Sequence, residues 1–372
     1  MFVRFRMPTK LFIGENSVRQ GSADLSALGR SCLVVTGRNS AKACGALDDA
    51  YAALDAAGVT HTLFDEVTQN PYLSTCLKAA DIARESGVDF ILGIGGGSPL
   101  DASKAIAVLA ANPSLDGPGL YAGGWKNSAL PVALIGTTSG TGSEVTQYAV
   151  ITDDLISGNK KSIGAPQCFA TLAFGDARYT NSLSYHFTVS TALDAMAHAV
   201  EGYFNNLASP LTDMFALPAI RDVVHALIAI RDKATENITP AQREALYLAS
   251  IYAGMVIAQN RTGYCHALGY FLTEQHEVSH GMACAVFLPG FIRRSAALEP
   301  TRAKQLADAV DMDCETLCKT IESFTEAPKV VLAKEAIDEM AHRFEGSANY
   351  KATYGGFDAK EAIKVLTELF GA

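Results

Sequence analysis

The sequence predicts an α/β domain followed by an all-helical domain, and two observations support this prediction. In the first half of the chain, short apolar runs alternate with amphipathic stretches of roughly 10–15 residues, which is typical of βαβ units in a parallel sheet. After about residue 180, glycine becomes sparse and long segments with a 3.6-residue apolar period dominate, which is typical of packed helices. We therefore expect the α/β domain at residues 1–180 and the helical domain at residues 181–372.

In the α/β half, each predicted strand is a short apolar run that ends at a glycine or a polar loop. Each helix that follows repeats its apolar residues every three to four positions. The predicted strands are 31–36, 61–64, 90–94 and 132–135, and the predicted helices are 46–57, 73–85 and 100–111.

In the second half, helices are predicted where the apolar period follows a suitable N-terminus. Ser209-Pro210 and Thr239-Pro240 each place a capping hydroxyl before a proline, and Ser98-Pro99 does the same in the first half. The predicted helices of this half are 190–204, 211–230, 240–259, 301–310, 317–325, 333–344 and 358–369.

The composition argues against several classes of protein. Hydrophobic residues make up 49% of the 372 residues, which is ample for packed cores. The net charge is −9 and no long basic run occurs, so neither nucleic acid nor an anionic membrane is an expected partner. No apolar run reaches the ~18 residues of a membrane-spanning helix, and the N-terminus lacks the apolar stretch of a signal peptide.

The eight cysteines include no Cys-x-x-Cys pair. In a chain of this length, that pattern indicates reduced thiols rather than a disulfide framework or a thiolate metal site. We therefore expect a cytoplasmic protein.

Two glycine-rich loops follow predicted strands and are candidates for binding phosphate. Gly95-Gly96-Gly97-Ser98-Pro99 opens a helix, whose N-terminus offers free N–H groups to a pyrophosphate. It matches neither the Gly-x-Gly-x-x-Gly fingerprint nor a P-loop, so a tight strand–helix turn is an alternative. Residues 136–146 concentrate glycines and hydroxyls, although an ordinary Ser/Thr-rich loop has the same composition. Open α/β sheets bind nucleotides where such loops lie, at the carboxyl ends of the strands.

The residues after the first predicted strand bear on the choice of nucleotide. An acidic residue at such a strand end would hold a ribose 2′-hydroxyl and repel a 2′-phosphate. This chain instead has two cations and no acid in Gly37-Arg38-Asn39-Ser40-Ala41-Lys42, which favours NADP(H) over NAD(H). The alternative is that Arg38 and Lys42 are solvated surface charges.

Asp194 and His198 lie four residues apart in an apolar helical segment. They share one helix face, with Cβ atoms roughly 6 Å apart. A buried carboxylate and a buried imidazole both need a partner, and a divalent cation would serve both. Alternatively, Thr191 and Asp194 fit a capping box, which would make His198 an ordinary core histidine.

His266 and His280 are two further candidate ligands. One continuous helix would separate them by about 21 Å, so they meet a single ion only where the chain bends between them. Gly269 and the polar run 273–277 permit such a bend. His276 lies four residues before His280 and is a competing ligand.

Taken together, these motifs resemble those of the iron-containing (group III) alcohol dehydrogenase family. The chain has Gly-Gly-Gly-Ser-x-x-Asp-x-x-Lys at 95–104 and Thr-Thr-x-Gly-Thr-Gly-Ser-Glu-Val-Thr at 137–146. It also has Asp-x-x-x-His at 194–198 and His-x13-His-Gly at 266–281. The resemblance extends from Leu11-Phe12-Ile13-Gly14 to the C-terminal helices.

The resemblance implies a Rossmann-like N-terminal domain and an all-α C-terminal domain, the dehydroquinate synthase-like architecture, with the active site between them. It makes Asp194, His198, His266 and His280 ligands of a metal, for which Fe2+ is favoured and Zn2+ or another divalent ion is an alternative. It implies hydride transfer between NADP(H) and a small alcohol or aldehyde. With the loops described above, the predicted nucleotide-binding residues are Gly37, Arg38, Asn39, Ser40, Gly95, Gly96, Gly97, Ser98, Asp101, Thr137, Thr138, Thr141, Thr146 and Lys160.

Tyr270 departs from the family pattern. Many members have a histidine at this position, four residues after the third ligand, and it is often assigned to proton relay. A tyrosine with a pKa near ~10 is a poorer proton shuttle at neutral pH. His276 or water is therefore an alternative relay, and Lys160 matches a family lysine near the cofactor.

Two other functions stay open. The same fold supports different chemistry in the dehydroquinate synthases and in the metal-free maleylacetate reductases. The complete ligand set disfavours the second, and Asp194, where the synthases have Glu, disfavours the first. A non-catalytic nucleotide-binding sensor is the other alternative, motivated by Tyr270.

The substrate pocket is predicted only in outline. By resemblance, Tyr148 and Ile257 line it. Arg261 could hold a carboxylate or phosphonate by a bidentate ion pair, or could be a helix-end arginine that faces solvent or another subunit. We expect a homodimer or larger homo-oligomer, and residues 5–13 could supply an edge strand.

Overall fold

The structure is a computed structural model that describes residues 3–231, 233–326 and 328–371. Its strands are β1 (Lys10–Ile13), β2 (Ser31–Thr36), β3 (Thr60–Phe64), β4 (Phe90–Gly95), β5 (Val132–Gly136), β6 (Tyr148–Thr152), β7 (Lys160–Gly164) and β8 (Leu172–Gly175). Its α-helices are α1 (Ser17–Gln20), α2 (Ser22–Ser26), α3 (Ser40–Ala43), α4 (Ala46–Ala57), α5 (Leu73–Glu85), α6 (Gly97–Ala111), α7 (Gly117–Ala122), α8 (Tyr185–Tyr203), α9 (Pro210–Ile230), α10 (Pro240–Asn260), α11 (Tyr264–Gln275), α12 (His280–Ala285), α13 (Leu288–Leu298), α14 (Pro300–Val310), α15 (Cys314–Phe324), α16 (Lys334–Arg343), α17 (Ala348–Ala352) and α18 (Ala359–Phe370).

Six strands form one parallel sheet in the order β1-β8-β5-β4-β2-β3. All four strands predicted from the sequence belong to it, and the central β4 and β5 are buried along their whole length. Alternate residues of these strands enter two separate apolar clusters, so both faces of the sheet are covered. The predicted α/β architecture is confirmed.

Several short elements are additional to the predicted set. β1 lies at the edge of the sheet, within residues 5–13, and β8 pairs between β1 and β5. β6 and β7 form a separate antiparallel pair. These strands have four or five residues each.

From α8 onward, the described residues form helices and no named strand. All the helices predicted for this half are present, whereas α11, α12, α13 and α17 are additional to them. Two proposed N-caps are confirmed. The Ser209 hydroxyl accepts a hydrogen bond from Thr212 N at 3.3 Å, and the Thr239 hydroxyl accepts one from Gln242 N at 3.3 Å.

The proposed N-cap at Ser98 is wrong. The preceding Gly96 is extended and α6 begins at Gly97, so Ser98 and Pro99 lie in its first turn. The Ser98 hydroxyl instead accepts a hydrogen bond from Asn70 N at 3.2 Å, which connects the loop before α5 to α6.

The described chain forms two compact units. One contains residues 7–183 together with Thr239–Tyr247, the beginning of α10. The other contains residues 3–6, the described part of 184–238, and the rest of the chain from Leu248 onward. None of the described helices is long and apolar enough to cross a membrane. All eight cysteines are free thiols.

Candidate metal centre and nucleotide loops

Asp194 and His198 project from the interior of α8. This helix begins at Tyr185, and Ser184 is its N-cap, so Thr191 lies well inside it. The Thr191 hydroxyl donates to Thr188 O at 3.2 Å, and the capping-box interpretation of Asp194 is wrong. Both Asp194 and His198 are buried, which is the setting in which a carboxylate and an imidazole need a partner.

His266 and His280 lie on α11 and α12, on either side of a sharp turn. The predicted bend exists, but it falls at residues 276–279, where Glu277 adopts a left-handed conformation with φ of 55°. Gly269 does not contribute to the bend, because it lies within α11. Its missing side chain lets α11 approach α12, since a Cβ there would be 3.3 Å from the backbone of Ala283.

The imidazoles of the three predicted histidine ligands converge on one oxygen atom of the fourth, Asp194. The distance from Asp194 Oδ1 to His266 Nε2 is 3.5 Å, and the distances to His198 Nε2 and His280 Nε2 are both 3.9 Å. Two ligands that share one metal at bonds of ~2.1 Å lie about 3–4 Å apart. The rings of His198 and His266 are stacked at 4.4 Å between centroids. The separations are therefore those of a site that holds one ion.

Two of these ligand atoms lack a hydrogen-bond partner in the described residues. Among the described residues, neither Asp194 Oδ1 nor His266 Nε2 has a hydrogen-bond partner, although both are buried. Burial alone would raise the pKa of Asp194, but the imidazoles of His198, His266 and His280 outweigh it and hold that pKa well below its usual value. A charged carboxylate without a partner is costly inside a protein, so these residues fit a divalent cation.

The structure adds two residues that the sequence analysis missed. Glu201, on α8, contacts His266 Nδ1 through its carboxylate. Its signal in the sequence is its position three residues after His198, on the same helix face. Cys284 lies four residues after His280, and its sulfur is 4.0 Å from His280 Nε2. Within the part of the chain that the structure describes, ligand atoms of Asp194, His266, His280 and Cys284 all lie within 4.8 Å of one another. A thiol thus lies beside a site for which the sequence predicts only oxygen and nitrogen ligands.

The two candidate relay residues of this region lie in different surroundings. Tyr270 is half-buried, and its ring stacks on that of His280 at 5.8 Å between centroids. His276 is exposed, and its ring packs edge-on against Phe271 at 4.9 Å. The fold therefore brings Tyr270, rather than His276, next to a predicted metal ligand.

The two glycine-rich loops lie side by side. β4 and β5 are paired parallel strands, so their loops leave the same edge of the sheet. A Cβ on Gly96 would be 2.9 Å from Thr138 Cγ2, and one on Gly97 would be 2.8 Å from Thr141 Cγ2. Gly95 has a φ of +152°, which few other residues adopt. The predicted binding residues of the two loops are thus adjacent, at the N-terminus of α6, where an anion is favoured.

Asp101 and Lys104 hold the second loop from within. Lys104 is fully buried and donates to Ser143 O and Ser143 Oγ at 2.7 Å each, and to Tyr148 O at 2.6 Å. Asp101 accepts from Ser143 Oγ at 2.6 Å and from Val150 N at 2.8 Å. Thr146 is also buried, 3.4 Å from the Lys104 ammonium. We therefore expect Asp101 and Thr146 to contribute to nucleotide binding indirectly, by fixing the conformation of the second loop.

The remaining predicted residues divide between the two units. Arg38, Asn39 and Ser40 are exposed after β2, and Gly37 is half-buried beside them. Half-buried Tyr148 and Lys160 begin β6 and β7. In the other unit, Ile257 is buried within α10, and Arg261 is exposed just beyond its end, in a left-handed conformation with φ of 66°. The position of Arg261 is typical of a residue that ends a helix.

Comparisons with known proteins identify the family of the chain. The model of iron-containing alcohol dehydrogenase matches residues 8–177, and that of the C-terminal part of the Fe-containing alcohol dehydrogenase family matches residues 188–341. The sulfoacetaldehyde reductase of Bilophila wadsworthia (strain 3_1_6) is 33% identical over 319 residues, which are 84% of this chain and 80% of that protein. The NADPH-dependent butanol dehydrogenase of Clostridium saccharobutylicum is 29% identical over 344 residues, which are 90% of this chain and 85% of that protein.

A solved structure has the same architecture throughout. The iron-containing alcohol dehydrogenase of Thermotoga maritima superposes with a TM-score of 0.90 at 34% identity, and 99% of each chain is covered. Both units are therefore matched in sequence and in fold, and the resemblance seen in the motifs is confirmed. The chain belongs to the iron-containing alcohol dehydrogenase family of oxidoreductases.

Proposed function

We propose that this protein is a metal-dependent alcohol dehydrogenase or aldehyde reductase that uses NADP(H). In the reductive direction, an aldehyde, NADPH and one proton give an alcohol and NADP+. The observation that best supports the proposal is the buried Asp194 Oδ1, which has three imidazole Nε2 atoms at 3.5–3.9 Å and no hydrogen-bond partner in the described residues.

Each group of residues has a separate task in this reaction. Asp194, His198, His266 and His280 would hold the divalent metal, which when bound supplies Lewis-acid polarisation of the substrate oxygen. The adjacent glycine-rich loops would hold the pyrophosphate of NADP(H) and so orient its nicotinamide, which when bound would supply the hydride chemistry. Tyr270 would pass the proton between the substrate oxygen and solvent, a role supported by the stacking of its ring on that of His280.

The direct test is turnover by the purified protein. After loading with Fe2+ under anaerobic conditions, it should oxidise NADPH in the presence of short-chain aldehydes, followed as loss of absorbance at the nicotinamide band. Chelation of the metal should remove this activity, and adding Fe2+ or Zn2+ back should restore it. If the protein binds the metal but oxidises no NADPH with any aldehyde of a broad panel, the proposal is wrong.

The preference for NADP(H) rests on Arg38 and Lys42, which are both exposed beyond the carboxyl end of β2. Replacing Arg38 with Ala should raise the KM for NADPH by about 10-fold or more and leave the KM for NADH nearly unchanged, because an ion pair with the 2′-phosphate contributes about 1.5–3 kcal/mol. Steady-state kinetics with both cofactors measure the change. Arg30→Ala is the matched control, since Arg30 is exposed at the opposite end of the same strand. Equal changes for both cofactors would show that Arg38 is a surface charge.

The substrate class rests on Arg261. A carboxylate- or sulfonate-bearing aldehyde is supported by the relative named sulfoacetaldehyde reductase. Replacing Arg261 with Ala should then raise the KM for such an aldehyde by about 10-fold or more, through loss of an ion pair, and should leave the KM for butanal unchanged. For the anionic aldehyde, the KM of Arg261→Lys should lie between those of the wild type and Arg261→Ala, because lysine keeps the charge without the bidentate geometry. Equal effects of Arg261→Ala on both substrates would assign Arg261 to the end of the helix alone.

A further inference from the structure

Glu201 is a fully buried carboxylate in the helical unit, and its exposed fraction is 0%. It lies on α8, three residues after His198 and seven after Asp194, so the three side chains share one face of the helix. A carboxylate so far from solvent is tolerated only where donors surround it. Its partners therefore indicate why it is there.

All the hydrogen-bond partners that the structure gives to the Glu201 carboxylate belong to the first turn of α11. Its Oε1 accepts from Cys265 N at 2.7 Å and from His266 N at 3.3 Å, and its Oε2 contacts His266 Nδ1. Gly263 lets the start of α11 come this close to Glu201, because a Cβ there would be 3.0 Å from Glu201 Oε1. The negative charge thus lies at the N-terminus of a helix, where it is stabilised.

The contact with Nδ1 determines what the other nitrogen of His266 can do. An ionised carboxylate only accepts hydrogen bonds, so Nδ1 must carry the proton. The lone pair is then on Nε2, which lies 3.5 Å from Asp194 Oδ1 and has no hydrogen-bond partner in residues 3–231, 233–326 and 328–371. Metal-binding histidines commonly donate their second nitrogen to a carboxylate in this way.

We propose that Glu201 is a positioning residue that fixes the tautomer and ring orientation of His266 and thereby sets the affinity of the centre for a divalent metal. The inference rests on the metal centre of the proposed function but not on its redox chemistry. The competing role is purely structural, with Glu201 capping the backbone N–H groups of α11.

Glu201→Gln separates the two roles. The amide oxygen of glutamine can still accept from Cys265 N and His266 N, so a capping role would survive. Its NH2 group would face Nδ1 and favour the tautomer with the proton on Nε2, which cannot bind a metal. A positioning role therefore predicts a metal affinity about 10–100-fold weaker than that of the wild type.

The experiment uses the full-length protein, freed of metal by chelation, and Zn2+ and Co2+ as probes. Zn2+ affinity is measured by competition with a chromophoric chelator, and the Co2+ site is followed by its visible absorption bands. For Glu201→Gln we expect the weakened Zn2+ affinity together with altered Co2+ bands. Asp213→Asn is the matched control, because it breaks an ion pair with Arg302 in the same helical unit, 2.7 Å between Nη2 and Oδ1. It should lower the stability of the protein without changing either metal readout.

Wild-type Zn2+ affinity and unchanged Co2+ bands in Glu201→Gln would overturn the proposal. Should that variant fail to fold, Glu201→Asp replaces it. Aspartate keeps the acceptor but is one methylene shorter, so it should restore the wild-type Co2+ bands only in part and weaken Zn2+ affinity less than 10-fold. Nitrogen NMR of the Zn2+-loaded wild type then shows whether any ligand histidine carries a proton on Nδ1. The proposal would equally be overturned if no such proton were found and a soluble Glu201→Asp bound Zn2+ with full wild-type affinity. None of these readouts depends on turnover. If the protein bound Zn2+ but reduced no aldehyde, the proposed function would be contradicted and this test would still be valid.

Discussion

Replacement of Asp194 with Ala is expected to remove the metal and lower kcat/KM by at least about 1000-fold. All three imidazole Nε2 atoms lie within 4 Å of Asp194 Oδ1, and Asp194 brings the only formal negative charge among the four predicted ligands. Loss of Lewis-acid stabilisation of several kcal/mol accounts for a rate effect of about this size. Metal content per chain, measured by mass spectrometry, and NADPH oxidation should fall together.

The same replacement should change the stability of the protein in a way that depends on metal. Without metal, Asp194→Ala removes the carboxylate charge that the three imidazoles stabilise, so the free energy of unfolding at neutral pH should fall. With excess Zn2+, the wild type should be stabilised by mass action and the variant should not. Asp308→Asn, at an exposed carboxylate on α14, is the control and should keep both the metal and the stabilisation. A variant at Asp194 that retained stoichiometric metal would contradict the ligand assignment.

Replacement of Gly281 with Ala should damage the same centre by a different route. Gly281 follows His280 at the start of α12, where a Cβ would be 1.8 Å from Ser190 O and 3.1 Å from Asp194 N. Both atoms belong to the backbone of α8, so neither can rotate away, and α12 must shift. Forced shifts of this kind cost about 1–3 kcal/mol or more. Because His280 is the adjacent residue, we expect its Nε2 to leave Asp194 and metal affinity to fall at least about 100-fold.

Chemical denaturation with and without Zn2+, together with the affinity titration, measures both parts of this expectation. Gly290→Ala is a matched control, because Gly290 lies inside α13 and a Cβ there meets nothing closer than Tyr264 Oη at 4.0 Å. That variant should be as stable as the wild type or more so, by up to about 1 kcal/mol, since alanine favours a helix. Unchanged stability and metal affinity in Gly281→Ala would show that α12 has room to move.

The parts of the fold that the sequence predicts best are those whose pattern is local. β4 and β5 are buried on both faces, so each reads as an unbroken apolar run that ends at glycine. Their parallel pairing then places the two glycine-rich loops together, as the strand order of an open α/β sheet requires. The helix containing Asp194 and His198 could also be predicted from its pattern. Its start at Tyr185 could not, because the segment before Ser190 has a weaker apolar period.

Errors arose where a local pattern had more than one meaning. Ser98-Pro99 has the composition of a helix start, but the N-cap is the extended Gly96, and α6 begins two residues earlier than a cap at Ser98 would allow. Gly269 suits a bend, but its actual partner is the backbone of Ala283, which is distant in sequence. For Gly269, the deciding contact lies outside the window of sequence from which the prediction was made.

The sequence by itself determined the division into an α/β half and a helical half, the four inner strands and longer helices, the positions of the two glycine-rich loops and, through family resemblance, the four predicted metal ligands. These follow from apolar periodicity and from short motifs, which depend on residues close together in the chain. Only the tertiary structure decided that Glu201 contacts His266, that Cys284 lies beside His280, and that Gly281 lets α12 reach α8. Each of these depends on the packing of helices far apart in sequence, and spacing along a single helix carries no information about which nitrogen of an imidazole a distant carboxylate will meet.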